Sequence, residues 1–183
     1  MEVKKIVYSA AKILGMSEEV RLYFEESITD NQREAEMLLQ CFNIVQQDLA
    51  LDYFPLTAED TLFSFSGRLE FSNMTHSPVR ILGLKDGNGK ELEYSLFPTY
   101  LQAQIGPLTV TYTYTPEDKG INEQCECGTL ASELMFLYGT LAQYTLVQGL
   151  FEEAVVWDKK YKKAIEDAYS MQTSKRLKSR RWV

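Results

Sequence analysis

His76 is the single histidine of this 183-residue chain, and it stands two residues before a proline in the segment NMTHSPVR. An imidazole changes charge near neutral pH, which makes it the natural general base of a hydrolytic site. A Ser/His/Asp or Cys/His arrangement also needs a presented nucleophile, and no elbow such as GxSxG accompanies this histidine. His76 therefore reads as an exposed turn residue.

Cys125-Glu126-Cys127 is the most metal-like stretch. Two thiolates one residue apart, with Glu123 and Glu126 nearby, could contribute ligands. Structural zinc, however, usually takes CxxC spacing and a second pair. Cys41 reads as a small apolar residue on the buried face of a helix. Three cysteines are an odd number and do not suggest a disulfide framework. The acidic pairs Glu18-Glu19, Glu25-Glu26 and Glu152-Glu153 diverge by about 100° on a helix, so neither pair member shares a proton or metal with the other. Asp86-Gly87-Asn88-Gly89 lacks the Lys-Ser/Thr of a phosphate loop and a helix after it, which leaves a hairpin turn. These residues predict no catalytic group, no metal, no cofactor and no small-molecule substrate, and the chain is expected not to be an enzyme.

Charge points instead to partners. The net charge is −7, yet Lys175, Arg176, Lys178, Arg180 and Arg181 supply five positive charges after the last acid, Asp167. The first 167 residues carry 14 basic against 26 acidic groups. An acidic body repels nucleic acid, and a basic tail attracts polyanions or an acidic protein surface. A terminal charge run is ordinarily a solvated, frayed end. Trp182 argues for more, because an exposed tryptophan beside arginines is a binding anchor. Lys175, Arg176, Lys178, Arg180, Arg181 and Trp182 are the predicted partner-binding residues.

The elements that must carry these groups follow from periodicity. Thr129–Gln148 is apolar on nearly every face, with Leu130, Leu134, Leu137 and Leu141 at helical spacing and Glu133 its one charge, so it is expected to be the central core helix. Its many polar groups argue against a membrane span, and the charged, amphipathic start of the chain argues against a secretory leader. Residues 2–15 predict a helix presenting Val3, Ile6, Val7, Ala10, Ile13 and Leu14 and ended by Gly15. Ser17 is expected to cap a second helix. Thr29 and Gln32 fit a capping box for a third, whose stripe is Leu38, Cys41, Phe42, Val45 and Leu49 and which Pro55 stops. From Asp60 the period becomes 2: Phe63 and Phe65, Leu69 and Phe71, Val79 and Ile81, Leu92, Tyr94 and Leu96, then Leu108, Val110, Tyr112 and Tyr114 predict a sheet of four to six antiparallel strands. EDKGINEQCECG is expected to be a surface loop or to stay mobile. After Gly149, a last helix places Leu150, Ala154, Trp157, Tyr161, Ala164, Ile165 and Ala168 on one stripe. The predicted class is α+β: N-terminal helices (1–56), an inserted antiparallel β region (57–117), a C-terminal helical hairpin (118–172) completing the bundle, and a basic arm (173–183).

LALDYFPLTAEDTL, EYSLFPTYL, VTYTYTP, YGTLAQYTLVQGLFEEAVVWDKKYKKAI and KSRRWV occur in an order that resembles head-to-tail connector (adaptor, or neck) proteins of tailed phages and prophages, over most of the chain from about residue 34. The resemblance implies a helical bundle with a β insertion, many copies forming a ring under the portal, and an arm from Lys175 to Val183 that docks on a neighbouring ring. It implies portal and tail proteins as partners, DNA passing through the channel without specific binding, and a place in the neck of a virion assembled in the bacterial cytoplasm. The chain departs from the all-helical adaptors by carrying the sheet. The competing expectation is a small module whose basic tail binds nucleic acid or protein.

Overall fold

The computed structural model describes residues 1–29, 32–128 and 131–173. The fold is α+β, with helices at both ends of the chain and antiparallel strands between them. Two compact units emerge. One combines Met1–Gln46 with the chain from Asp118 onward, and the other is Gln47–Glu117.

The helical unit begins with α1 (Val3–Leu14), which buries Val3, Ile6, Val7, Ala10 and Ala11. Ile13, expected inside, is 48 % exposed, and Ala11 takes its place in the core. Gly15 ends the helix in the left-handed region, at φ 76°. In α2 (Ser17–Glu26) the residue before the helix is Met16, so Ser17 is the first helical residue and makes no capping bond. α2 buries only Val20 and is held by charge: Arg21 bonds Glu18 and Glu26, and Lys4 of α1 bonds Glu25 at 2.8 Å. In α3 (Gln32–Asp48) Gln32 donates its side-chain amide forward to Glu36, not back toward Thr29 as a capping box would suggest. The expected stripe Leu38, Cys41, Phe42 and Val45 is buried, and Leu49 follows it inside. A wide turn at Leu49–Tyr53 replaces the last helical turns before Pro55.

α4 (Glu133–Val147) is the predicted core helix, shorter than expected because Ser132 caps it, accepting from the Met135 N–H. Thr129 and Leu130 lie outside the described residues. Its buried set is Met135, Phe136, Gly139, Thr140, Leu141, Tyr144 and Thr145, with Phe136 stacked on Phe42 of α3 at 5.4 Å. The leucine stripe is less buried than its spacing suggests: Leu134 is 53 % exposed. Gly149, at φ 77°, turns the chain into α5 (Phe151–Thr173), which buries Ala154, Tyr161, Ile165 and Ala168. Leu150 precedes that helix and is exposed.

The β unit contains two sheets where one was expected. β1 (Leu56–Ser64), β6 (Gly106–Tyr114) and β3 (Pro78–Asp86) form the first in the order β1-β6-β3. β2 (Arg68–Glu70), β5 (Tyr100–Gln102) and β4 (Ser95–Leu96) form the second in the order β2-β5-β4. Leu69 and Leu101 from the small sheet cluster with Met74, Leu84, Leu108, Val110 and Tyr112, so the two sheets share one core. β6 has the expected phase. β1 has the opposite one: Ala58, Asp60, Leu62 and Ser64 alternate inward, while Phe63 and Phe65 point outward at 54 % and 83 % exposure. Bulges between Pro78 and Arg80 and between Ile81 and Gly83 reset β3 and turn Val79 out. The turn after β3 is as expected: Asp86 accepts the N–H groups of Asn88 and Lys90, and Gly89 has φ 82°.

Candidate interaction surfaces

The predicted partner-binding residues Lys175, Arg176, Lys178, Arg180, Arg181 and Trp182 lie outside the described residues. What the described residues offer is an apolar groove on the α4–α5 hairpin. Ala142, Gln143 and Leu146 of α4 face Phe151, Ala154, Val155 and Asp158 of α5 around a hollow of about 270 Å³. The hairpin closes tightly because Gly139 puts no side chain against Val45 and Tyr161. Past Gly139 the two helices leave Leu146 (49 % exposed), Phe151 (66 %) and Val155 (52 %) uncovered, with Val147 and Leu150 also exposed beside them. Scattered apolar residues are normal on a surface, whereas a contiguous group of this kind marks an interaction site. Along α5, Glu152 and Glu153 lie in the first turn, just after Phe151 of the groove, and Lys159, Lys160, Lys162 and Lys163 follow its last lining residue, Asp158. Lys160 lies over the Trp157 ring at 4.1 Å, and Trp157 stacks near Tyr138.

In the β unit, Phe63 and Phe65 meet at 4.7 Å between ring centres and stand free of the core. A second hollow, about 460 Å³, is lined by Leu51, Pro55, Thr57, Val79, Leu82 and Thr113.

His76 lines neither hollow. Its ring stacks on Tyr114 at 4.0 Å, and its backbone N–H donates to the Tyr112 hydroxyl. That hydroxyl donates to Asp60 at 2.7 Å, and Thr75 donates to the same carboxylate through both its N–H and its hydroxyl. Burial pushes the Asp60 carboxyl up, but these donors outweigh it and hold the group below the ordinary aspartate range. Burial and the Asp60 bond together raise Tyr112. The network fastens the 74–78 turn to β1 and β6, and it explains why β1 runs in the opposite phase, since Asp60 must face inward to receive it. The three donors to Asp60 come from Thr75 and Tyr112, while His76 contributes its ring to an aromatic stack.

No protein-family profile matches the chain, and no curated protein matches it.

The segment expected to be a loose linker is tied down. Asn43 of α3 donates to the Lys119 carbonyl and accepts the Lys119 N–H, at 3.1 and 2.8 Å. Gln46 accepts the Glu126 N–H, and Glu126 pairs with the Lys119 ammonium. Further along, Cys125 donates its N–H to the Met1 carbonyl, and Gln124 bridges Glu2. Asn43 and Gln46, buried polar residues on an otherwise apolar helix face, were the missed signal: such groups must find partners, and here the partner is backbone. Cys41 is buried, with its thiol pushed up to about 11 by desolvation. Among the described residues no group of three or more His, Cys, Asp or Glu side chains converges as metal ligands, and no helix is long and apolar enough to cross a membrane.

Proposed function

We propose that this chain is a structural protein of tailed-phage or prophage particles, a ring-forming head-to-tail connector that docks on the portal and continues the DNA channel. The carrying observation is the uncovered apolar groove of the α4–α5 hairpin, at Leu146, Phe151 and Val155. A second copy is the occupant it fits. Glu152 and Glu153 lie at one end of the exposed side of α5 and Lys159 to Lys163 further along, so a head-to-tail contact pairs one copy's acids with the next copy's lysines across the groove. Heterologous contacts of this kind close rings when the rotation allows.

The order of helices, β insertion and helices supports the same reading, as does the sequence layout that resembles connector proteins. The acidic balance of the first 167 residues suits a channel wall that lets DNA slide. In this reading the portal and tail proteins are the neighbours, the basic arm through Trp182 docks on one of them, and the neck of the virion is the site of action. Mixing the full chain with the portal ring from the same genome tests it: stacked rings in electron micrographs are expected, and failure to co-sediment would overturn it. If instead the chain binds DNA in a salt-sensitive way that deletion of residues 175–183 abolishes, the tail is a nucleic-acid module and the connector reading is displaced.

A further inference from the structure

We propose that the hollow beside the wide turn of the β unit binds a short free peptide with aliphatic side chains, Arg80 taking its carboxylate and Asp52 its ammonium group. Three departures from regular backbone converge on this hollow. Along β3, Arg80 lies opposite Thr113, Ile81 opposite Tyr112 and Gly83 opposite Thr111, so Val79 and Leu82 are each an extra residue with no partner on β6. The core does not require them. A strand matched to β6 residue for residue would meet Tyr114, Tyr112 and Val110 just as Pro78, Ile81 and Leu84 do. What the two bulges add is a pair of aliphatic side chains, 54 % and 50 % exposed, in the lining of the hollow. The third departure is the turn Leu49–Tyr53, closed by a bond from the Phe54 N–H to the Leu49 carbonyl at 2.6 Å, which brings Leu51 and Asp52 to the same lining. Bulges and single wide turns give up regular hydrogen bonding, and they recur where a side chain has to be aimed at a ligand. Here all three serve one hollow of about 460 Å³, the size of a small-ligand site.

The lining defines the ligand. Leu51, Val79 and Leu82 offer exposed aliphatic surface, and covering it with aliphatic side chains is favourable. Thr57 and Thr113, paired across β1 and β6, add two hydroxyls to the same lining. Arg80 and Asp52 supply its charges. Both are exposed, and among the described residues neither side chain is held by an ion pair. A guanidinium and a carboxylate at one apolar hollow are complementary to a zwitterion: the guanidinium fork matches a carboxylate, and the Asp52 carboxylate accepts from an ammonium group. A ligand with one charge would leave the other of the two residues without a partner. The volume leaves room for a peptide of two or three residues. All the groups involved belong to the β unit, so the inference stands apart from the assembly reading and does not need it.

The test titrates trileucine into the isotopically labelled full chain and follows its amide resonances. Saturable shifts at Leu51, Val79, Leu82 and Thr113 are expected. N-acetyl-trileucine, which lacks the ammonium group, and trileucine amide, which lacks the carboxylate, are each expected to bind about tenfold more weakly, the loss of one charge-assisted bond. D52N is expected to weaken trileucine by a similar factor and to leave the acetylated peptide unaffected, and R80Q to do the same with respect to the amide. Both replaced side chains are exposed, so the urea midpoints should not move. No shift at these four residues with trileucine in the millimolar range, or equal binding of the free peptide and one blocked at both ends, would overturn the proposal on the wild type alone.

Discussion

Gly139→Ala separates two opposed effects at the centre of the helical unit. Gly139 sits inside α4, where alanine is better than glycine by about 1 kcal/mol on helix propensity alone. A Cβ built there meets Val45 Cγ1 at 2.6 Å, Val45 Cγ2 at 3.0 Å and Tyr161 Cε2 at 3.1 Å. Val45 is 1 % exposed and β-branched, so it has neither room nor a spare rotamer to withdraw. Overpacking of this kind costs about 1–3 kcal/mol. The clash therefore offsets or outweighs the propensity gain, and G139A is expected to be less stable by up to about 2 kcal/mol. With a urea slope of about 2 kcal/mol/M, the midpoint falls by up to about 1 M. Trp157 of α5 stacks on Tyr138 of α4, so in a W182F background tryptophan fluorescence follows the helical unit. In a V45A background the two close methyl contacts are gone, and the same substitution is expected to be neutral or stabilising. A midpoint that rises on G139A in the wild-type background, by the amount propensity predicts, would refute the packing of α4 against α3 and α5.

Other perturbations have definite signs. N43A removes the two bonds between the Asn43 amide and the Lys119 backbone; a loss of about 2 kcal/mol in urea unfolding is expected, with faster amide exchange at residue 119. D60N costs about 1.5 kcal/mol at neutral pH, the low end for bonds to a charged acceptor because the carboxylate is partly solvated. Since the folded group titrates below its unfolded value, this contribution is complete above the ordinary carboxylate pKa near about 4 and is lost as pH falls further. Near-UV circular dichroism of the tyrosines should show the two proteins converging in acid. T140V replaces a fully buried hydroxyl that has no hydrogen-bond partner, and it is expected to raise stability by about 1 kcal/mol in the same urea assay.

Periodicity made the helices legible. The α3 stripe from Leu38 to Val45 and the α5 stripe through Tyr161 and Ile165 lie inside as spacing required. The β region was legible as strands but not as two sheets, because hydrophobic alternation fixes a strand's two faces without saying which strands pair. Phe63 and Phe65 misled for a physical reason: Asp60 turns inward to take three hydrogen bonds, and the period of 2 then carries both phenylalanines outward. Val79 escaped through a bulge, which no alternation pattern announces. Leu146, Phe151 and Val155 lie off the buried faces of the hairpin, which beyond Gly139 are made by Leu141, Tyr144 and Thr145 on α4 and Ala154 and Tyr161 on α5. The 118–127 segment looked loose because its own side chains are polar, while what fastens it, Asn43 and Gln46, sits some eighty residues earlier in sequence.

The central claim is that the α4–α5 groove holds a second copy of this chain. Sedimentation velocity of the full chain over a wide concentration range, beside the exposed-site variants F151E and V155E, tests it most directly. The wild type is expected to pass from monomer to one closed oligomer, and both variants to stay monomeric with unchanged urea midpoints. A wild type that remains monomeric at every concentration, or variants that assemble as well as it does, would contradict the account.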